Sequence, residues 1–506
     1  MIAYINGKIW IEKNIFQEAF IVKGKKIIFV GQTKDALEFK PKTIIDLNKK
    51  LVIPGLMDSH VHFYFGAKYE SYLDLSKIKN HKDLINELLV FNKKHNFKND
   101  DVLIGYDWDE EQFEEKKMIS KKYLDDHFPN LSVFLWRKSY HSAFANTHAL
   151  KRLGIYHKNA TYEKSYIELG EDKMPTGFLK EKICYKVDAL ISAERNIQYQ
   201  KDFIKWVKKA NNFGITGIFT CDLRNENWEF DLNVFEKLNN KNKLSLEISH
   251  QMWLTEEKWI NNFLAKIQHI KLKKNNHQIR AIKVFADGTF SNNTLNLKTT
   301  NSLDNLFIDK EKFYEFVKKI NSYNLSVVTH SIGDLTSEVV IKNYAMNDHS
   351  NLMRNGLIHS DVMNKKLVKL IKNHNIYLSL QPCFLKENYF FNDKMEISPY
   401  KTLVKNKINI SFGTDWKVCD LNPWCNIHLA INHPNPKQKI KLWQALEAYT
   451  LGTAKYMNID DKVGKIAKNY YANFIILEKD IFRNHKKNIH KTIVLSTYFR
   501  GKKVSN

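Results

Sequence analysis

Eight short apolar segments, separated by stretches with helical periodicity, constrain the fold of this chain more than any other feature of the sequence. Most of them lack the apolar–polar alternation of a half-buried strand, as expected for parallel strands covered on both faces. Such a series predicts an α/β fold, a (β/α)8 TIM barrel over residues 53–459. The predicted barrel strands are 51–62, 215–220, 244–250, 279–286, 325–329, 356–359, 376–381 and 408–413, with helical patterns between them such as 311–323 and 364–373.

One connection in this series is far too long for an ordinary strand-to-helix loop. About 150 residues separate the first predicted strand from the second, and they contain strand-like segments of their own at 102–106 and 131–137. We therefore predict a large insertion after strand 1, at about residues 65–210. We expect it to lie over the carboxyl-terminal mouth of the barrel and to contribute to the pocket.

Both ends of the chain are rich in strand patterns. Asn6-Gly7 between 2–5 and 8–11 has the signature of a type I′ hairpin, and a second hairpin is predicted from 19–22 and 26–30. Strand-like segments recur near the other end, at 472–477 and 492–499. Because isolated hairpins are marginally stable, we predict that residues 1–52 and 460–506 join in one small β-sandwich module.

The strong positive charge of the chain allows two interpretations. Its 506 residues carry a formal net charge of +24, which a nucleic-acid-binding protein would concentrate in one basic patch. Here the lysines are spread along the whole sequence, and only eight of the 79 basic residues are Arg. Asn and Ile are also abundant, a pattern that an AT-rich genome gives to every protein it encodes. We expect no nucleic-acid partner, and an acidic small-molecule substrate stays open.

The cysteines and the hydropathy pattern indicate where such a protein works. The five cysteines are scattered, odd in number and without a C-x-x-C motif, which argues against a disulfide framework and a thiolate zinc site. The first ten residues lack the basic and apolar regions of a signal peptide, and no transmembrane-length apolar run occurs. We expect a cytoplasmic protein with no membrane association.

Two histidines, His60 and His62, end the first predicted strand. Residues i and i+2 of a strand point to the same side, so the two imidazoles could share one metal ion. Alone the motif is weak, because 19 His in 506 residues give roughly 0.7 H-x-H by chance, and a pair of structural histidines is the alternative. The position strengthens the metal interpretation, because barrel active sites form at the carboxyl ends of the strands.

Further candidate ligands occur on other predicted strands. His330 and His359 end the fifth and sixth, Asp415 follows the eighth, and Lys283 lies within the fourth. Each alone could be an ordinary buried or ion-paired residue. Together with the H-x-H pair they form a nitrogen and carboxylate donor set suited to Zn²⁺ or another divalent transition metal. We expect one or two ions.

Lys283 stands out because a charged lysine is costly to bury within an apolar strand. Its ammonium could extend to a nearby loop or pair with an acid. In the functional interpretation its neutral amine captures carbon dioxide, and the carbamate bridges two metal ions as a carboxylate does. A mononuclear site with unmodified Lys283 is the nearest rival.

The segment from Pro54 to His62, Pro-Gly-Leu-Met-Asp-Ser-His-Val-His, resembles the opening motif of the amidohydrolase superfamily. The chain resembles in particular metal-dependent amidohydrolase family 3, which includes exoenzyme-regulatory and N-substituted formamide deformylase-like proteins. Departures are Ile358, where the family often has Glu, and the Thr289-Phe290-Ser291-Asn292 segment; both bear on the substrate. Other matching segments, in order along the chain, are Tyr140-His141-Ser142-Ala143 with Asn146, Thr-Gly-Phe-Leu-Lys-Glu (176–181), Phe-Gly-Ile-Thr-Gly (213–217), Lys-Val-Phe-Ala-Asp-Gly (283–288), His-Ser-Ile-Gly-Asp (330–334) and Gly-Thr-Asp (413–415).

The resemblance implies a binuclear site in which a carboxylated Lys283 bridges the two ions. It assigns His60, His62 and Asp415 to the more buried ion, and His330 and His359 to the other. It also implies that Asp415 takes the proton of the attacking water, and that His141 contacts the substrate or stabilises the oxyanion. Independently of it, Trp108, Tyr140 and Trp416 could line an aromatic pocket, with ordinary packing as the alternative for each.

These features predict an amidohydrolase that uses a metal-activated water to cleave a non-peptide carbon–nitrogen bond of a small molecule, as in an amide, formamide or cyclic amide. The resemblance also implies a homodimer as one expected oligomeric state. A mononuclear amidohydrolase or deaminase is the first alternative, and a basic nucleic-acid-binding protein is a distant one.

Overall fold

A computed structural model describes residues 1–505 except 138–141, 163–164, 182, 185, 188–189, 191–195, 271, 273–274, 291–293, 300–301, 387–395 and 484. The chain divides into two units, one formed by Met1–Phe63 with Ile204–Asn506 and the other by Tyr64–Phe203. The limits of the second unit lie close to those predicted for the insertion, and its position over the barrel mouth stays a prediction.

Eight parallel strands in the first unit form the predicted α/β barrel, and that fold prediction is confirmed. The strands are β1 (Leu56–Val61), β2 (Ile215–Thr220), β3 (Glu247–Met252), β4 (His277–Phe285), β5 (Ser326–Ser331), β6 (Gly356–His359), β7 (Tyr377–Leu380) and β8 (Ile410–Phe412). They pair in chain order from β1 to β8. The ring closes just beyond the ends of β1 and β8, where Asp415 N donates to His60 O (2.9 Å) and His62 N donates to Trp416 O (2.7 Å).

Helices follow most barrel strands and begin at polar capping residues. The Asp309 carboxylate accepts from the first turn of Lys310–Ser322, and Asn364 caps Lys365–Asn373. Both helices agree within one residue with their predicted limits. No helix in the described part of the chain combines the length and apolar character needed to cross a membrane. The other long helices of this unit are Trp228–Asn240, Glu257–Ile267, Asp334–Asn347 and Pro423–Ile431, and Asn196–Asn212 begins in the second unit.

The prediction of residues 51–62 as one continuous strand was wrong. Leu51–Pro54 pairs with Phe474–Leu477 and Lys8–Glu12 in a separate sheet, and β1 starts only after Gly55. A side chain at position 55 would overlap Thr216, so glycine lets the chain pass from one sheet into the barrel. The apolar run is continuous because both strands are buried, and this continuity conceals the break.

Strands from both chain ends share one six-stranded sheet, while a second sheet holds Ile2–Ile5, Ala19–Lys23, Lys26–Gly31 and Thr43–Asp46. The predicted hairpin at 19–30 is confirmed. The hairpin predicted at Asn6-Gly7 is wrong, because the strands on its two sides belong to different sheets. Gly7 N donates instead to Glu18 O (2.8 Å). The strands of the six-stranded sheet, in order, are Lys502–Lys503, Val494–Phe499, Phe474–Leu477, Leu51–Pro54, Lys8–Glu12 and Ile15–Gln17.

The second unit has its own six-stranded sheet and its own hydrophobic core. The predicted segments 102–106 and 131–137 are strands Val102–Trp108 and Ser132–Arg137. They pair with each other in parallel, and Val102–Trp108 lies next to the edge strand of that sheet. The other strands are Leu73–Asp74, Ser142–Ala145, Ser165–Leu169 and Pro175–Glu181, and the helices include His81–His95, Lys121–His127 and Thr147–Arg152.

Pairs of asparagine side chains join helices to barrel strands at the amino-terminal end of the barrel. Asn321, near the end of its helix, and Asn355, just before β6, donate to each other's amide oxygens at 3.0 Å. Asn239 and Asn276 form the same reciprocal pair before β4, at 3.3 and 3.1 Å. Each pair satisfies two amide groups at once. A buried amide without a hydrogen-bond partner would cost about 1–3 kcal/mol.

A buried ion pair attaches the carboxyl-terminal segment to the base of the barrel. Arg500 Nη2 donates to Glu247 Oε2 (2.6 Å) and Arg500 Nε donates to Glu247 Oε1 (2.7 Å). The two side chains are only 7% and 5% exposed. Asn473 Nδ2 donates to Glu247 Oε1 as well (3.1 Å), so the carboxylate at the start of β3 depends on partners close to the end of the chain.

Replacing Arg500 with methionine should therefore destabilise the first unit strongly. The R500M variant keeps most of the side-chain length but leaves the Glu247 carboxylate buried without its cation, which costs about 3–5 kcal/mol. Urea unfolding of both proteins measures the difference. The matched control is R483M, because Arg483 is 84% exposed beside Asp480 and its loss should cost below about 1 kcal/mol. Equal stabilities of R500M and R483M would contradict this role of the pair.

Candidate metal centre

The six predicted metal-binding side chains all belong to the first unit and occur at or beyond the carboxyl-terminal halves of barrel strands. They are His60 in β1, His62 just after it, Lys283 in β4, His330 in β5, His359 at the end of β6 and Asp415 just beyond β8. All are buried except His62, which is partly exposed.

His60, His62 and Asp415 form the tightest part of this group. One ligand atom from each lies within 4.8 Å of the other two. Asp415 Oδ1 is 3.4 Å from Nε2 of both histidines. Two imidazole nitrogens and one carboxylate oxygen that face a common point are the donors that Zn²⁺ prefers in catalytic sites.

Gln251 fixes which nitrogen of His60 carries the proton. The Gln251 amide nitrogen donates to two backbone carbonyls, Phe219 O (3.1 Å) and Ser59 O (3.3 Å). Its oxygen must then face His60 Nδ1, at 3.1 Å. Because an amide oxygen only accepts, Nδ1 carries the hydrogen and Nε2 keeps its lone pair towards Asp415.

Backbone carbonyls fix two more imidazoles in the same way. His62 Nδ1 donates to Cys221 O (3.1 Å), which leaves Nε2 as the nitrogen towards Asp415. His330 Nε2 donates to Gly288 O (2.9 Å), so its Nδ1 holds the lone pair. Gly288 follows Asp287, whose carboxylate accepts from the backbone N–H groups of residues 332 and 333 and so ties the loops after β4 and β5 together.

His330 and His359 form a second group beside the first. Their ring centroids are 4.6 Å apart, and His359 Nε2 lies 4.0 Å from Asp415 Oδ2. The two oxygens of Asp415 therefore face different histidines. This arrangement places one carboxylate between the two groups of imidazoles.

Burial sets the protonation states of these donors. It lowers the pKa of His60 and His330 far below the ordinary value and that of His359 to about 4. Burial alone would raise the pKa of Asp415, but its electrostatic interactions with His60, His359 and His62 outweigh burial and hold that pKa below the ordinary value. Neutral imidazoles and an ionised carboxylate are the forms that bind metal ions.

Lys283 points into the same place. Burial lowers the pKa of its ammonium to about 8, and its charge in turn lowers the pKa values of His60, His330 and His359. Its Nζ, together with Asp415 Oδ1 and His359 Nδ1, has no hydrogen-bond partner among the residues that the structure describes. Unsatisfied buried polar atoms that converge with this donor set fit a divalent metal centre.

Asp58, which the sequence analysis named only as part of a motif, supports the backbone of the candidate centre through hydrogen bonds. Its buried carboxylate accepts from His60 N (3.1 Å), Thr414 N (3.1 Å) and Thr414 Oγ1 (2.6 Å). Burial raises the pKa of Asp58 to about 7. His359 and Asp415 both have left-handed backbone conformations, with φ of 74° and 51°.

Two of the predicted aromatic pocket residues, Trp108 and Trp416, belong to the part of the chain that the structure describes. Trp108 is fully buried in the core of the second unit, where Nε1 donates to Leu135 O (3.1 Å), and Trp416 is buried against Phe63 and Trp206. Ordinary packing, the alternative for both, describes these positions. Tyr140 and His141 fall outside the described residues.

Two aromatic residues that sequence reasoning missed contact the centre instead. The Trp253 ring lies 6.2 Å from the His62 ring, and the Phe285 ring lies 5.0 Å from both Trp253 and His330. Gln251 and Trp253 escaped notice because the apolar run predicted that β3 ends at residue 250, whereas its pairing with β4 continues to Met252. With the end of β3 placed correctly, the rule that barrel sites form at the carboxyl ends of strands would have pointed to both residues.

Residues 43–505 match a model described as the amidohydrolase family. The putative amidohydrolase YtcJ of Bacillus subtilis (strain 168) is 26% identical over 481 residues, covering 90% of this chain and 89% of YtcJ. N-substituted formamide deformylase of Arthrobacter pascens is 20% identical over 526 residues, covering 97% and 95%. An uncharacterized metal-dependent hydrolase structure from Pyrococcus horikoshii OT3 has a TM-score of 0.80 at 23% identity, covering 96% of this chain and 99% of that one; this likeness bears on the fold.

Replacing Gln251 with leucine should weaken metal binding without unfolding the protein. The Q251L side chain cannot accept the His60 Nδ1 proton, so the ring loses its fixed orientation and tautomer, and zinc affinity should fall by about 10–100-fold. Competition with a chromophoric chelator measures the dissociation constant. The control is Q278L, because among the described residues the Gln278 amide nitrogen donates to Ser249 Oγ and Met457 O, outside the candidate centre. Wild-type zinc affinity in folded Q251L would refute the positioning role.

Proposed function

The chain belongs to the amidohydrolase family, and from that premise we propose that it hydrolyses a non-peptide carbon–nitrogen bond of a small molecule. An amide, formamide or cyclic amide is the expected substrate class. The observation that carries the proposal is the convergence of His60, His62 and Asp415, with Asp415 Oδ1 at 3.4 Å from both imidazoles. The name of the deformylase relative from Arthrobacter pascens supports formamides as the first compounds to test.

The donor set supports a binuclear centre. His60, His62 and Asp415 would hold one ion, and His330 and His359 a second. A divalent ion in this place would supply Lewis acidity, which activates water at neutral pH and polarises the scissile carbonyl. Zn²⁺ is the ion that best suits imidazole nitrogens with carboxylate oxygen.

Lys283 has the properties that a bridging carbamate requires. With a pKa of about 8, roughly a tenth of its amine is neutral at pH 7, far more than for an ordinary lysine, and only the neutral form attacks carbon dioxide. The new N–C bond forms as the amine loses one proton to solvent, and a monoanionic carbamate results. That anion would replace a buried positive charge with a negative one between the histidines, which favours a divalent cation at this place.

Asp415 would move the proton in the reaction. Its carboxylate is ionised, buried and in contact with both groups of histidines, so it can accept a proton from the attacking water. It can then give that proton to the leaving nitrogen, which departs as a neutral amine.

We expect two metal ions per chain in protein purified without chelator in bicarbonate buffer, measured by elemental analysis. Six converging donors, one of them a carbamate, provide enough ligands for two ions. One ion per chain would favour the mononuclear alternative with unmodified Lys283. Failure to bind any metal after addition of Zn²⁺ or Mn²⁺ would contradict the proposed function.

Removing one ligand should abolish hydrolysis while the fold persists. In H60A and D415A we expect kcat/KM for N-formyl amines or cyclic amides to fall by at least about 1000-fold, because transition-state charge stabilisation is lost together with the metal. Initial rates across a substrate panel measure this loss. The control is H349A, an exposed histidine outside the centre. Undiminished activity in either ligand variant would contradict the assignment.

A further inference from the structure

We propose that Cys383 and Cys419 are a redox-responsive thiol pair that closes to a reversible disulfide in the presence of a hydroperoxide, and that this closure weakens metal binding beside it. Both cysteines belong to the first unit, and neither is a candidate metal ligand. Disulfide formation is independent of the proposed function. The effect on metal binding rests on it, because it concerns the same centre.

The barrel brings the two cysteines together, because β7 and β8 are parallel neighbours. Cys383 follows β7 and lies in the short 3-10 helix Pro382–Lys386. Cys419 follows β8, directly after a turn in which Val418 N donates to Asp415 O (2.7 Å). Each cysteine thus lies just beyond the carboxyl end of its strand, at the same end of the barrel as the candidate centre.

The two thiols are in direct contact. The side chains of Cys383 and Cys419 hydrogen bond to each other, and Cys383 Sγ also donates to Thr414 O (3.5 Å). Both cysteines are partly exposed, whereas Cys184 and Cys221 are buried. A disulfide requires a separation of about 2.05 Å between the sulfurs, so two thiols already in contact, one of them after a turn, need only a local displacement to join.

The surroundings of the pair decide which thiol reacts first. Burial of the Cys383 thiol, its contact with Cys419 and the nearby carboxylates of Asp415 and Asp58 raise its pKa well above the ordinary value. The thiolate is the form that attacks a peroxide, and Cys383 is therefore poorly suited to the first step. Cys419 is the attacking residue, and Cys383 resolves the product.

The chemistry then proceeds in two balanced steps. The Cys419 thiolate attacks one oxygen of the hydroperoxide, the O–O bond breaks, and the leaving oxygen takes up a proton, which gives a sulfenic acid and water when the oxidant is hydrogen peroxide. The Cys383 sulfur attacks the sulfenic sulfur, and an S–S bond replaces the S–O bond. The released hydroxide takes the Cys383 proton as a second water. Two thiols are oxidised, and one peroxide is reduced.

Closure of the pair would act on Asp415 through Thr414. The Thr414 backbone is held on one side by Asp58, which accepts from its N–H at 3.1 Å, and on the other by the Cys383 thiol at its carbonyl oxygen. The disulfide has no S–H group, so it removes the second contact from the residue that precedes Asp415. Loss of contacts that orient a ligand typically lowers metal affinity by about 10–100-fold.

The test maps the cysteines after oxidation. Reduced wild type, C383S, C419S and C425S are treated with hydrogen peroxide, alkylated with iodoacetamide and digested with trypsin without reductant. Serine keeps the size and the hydrogen-bond donor of cysteine. Cys383 belongs to tryptic peptide 373–386, while Cys419 and Cys425 share peptide 418–437. C425S is the matched control, because a link to peptide 418–437 can then involve only Cys419.

We expect the two peptides to be linked in the wild type and C425S, two hydrogen atoms lighter than their sum and separable with dithiothreitol. The link should be absent from C383S and C419S, and dimedone should trap a sulfenic acid at Cys419 in C383S. No linked peptide in C425S would overturn the thiol pair. An equal yield of the link from C425S unfolded in guanidinium chloride would also overturn it, since the fold would then not create the pair.

Competition with a chromophoric chelator tests the effect on the centre. We expect the oxidised C425S protein to bind Zn²⁺ about 10-fold more weakly than its reduced form, and peroxide-treated C419S to keep its affinity. Equal affinities of oxidised and reduced C425S would overturn the link between the pair and the centre. A protein that forms the disulfide but binds no Zn²⁺ in either state would instead refute the proposed function and leave the thiol pair in place.

Discussion

The hydrogen bonds that join the carboxyl ends of β1 and β8 support both the barrel and the candidate centre. Asp58 accepts hydrogen bonds from the backbone N–H groups of His60 and Thr414, and Thr414 is 356 positions away from it in the sequence. Asp415 N and His62 N complete this junction by donating to His60 O and Trp416 O. The contacts that close the ring therefore also bring the H-x-H pair opposite Asp415, so the centre cannot assemble before the barrel has closed.

Burial then gives the assembled side chains their chemical character. The same desolvation that keeps the imidazoles neutral would protonate an isolated carboxylate, yet Asp415 stays ionised because several histidines surround it. Fixed acceptors behind the rings, the Gln251 amide and the backbone oxygens of Cys221 and Gly288, decide which nitrogen is available. The donor set thus depends as much on residues that would touch no metal as on those that would.

Much of this organisation could be predicted from the sequence, since apolar runs reveal buried strands and donors at their carboxyl ends face one mouth. The prediction failed where local pattern and tertiary pairing differ. Gly55 interrupts an apolar run without changing its composition, and Asn6-Gly7 turns the chain between two sheets rather than within one. Gln251 and Trp253 were missed because pairing with β4, not apolarity, ends β3. Trp108 shows the reverse case, because the sequence around an aromatic residue does not distinguish a position in a core from a position in a pocket.

The asparagine pairs at the amino-terminal end give the two ends of the barrel different responses to acid. Amides neither gain nor lose protons between pH 2 and 12, so the joints Asn321–Asn355 and Asn239–Asn276 keep their hydrogen bonds as the medium is acidified. The opposite end consists of imidazoles and carboxylates, whose ligand capacity depends on protonation. Loss of metal in mild acid would therefore leave these two amide joints in place, ready for reloading of the opposite rim when the pH is restored.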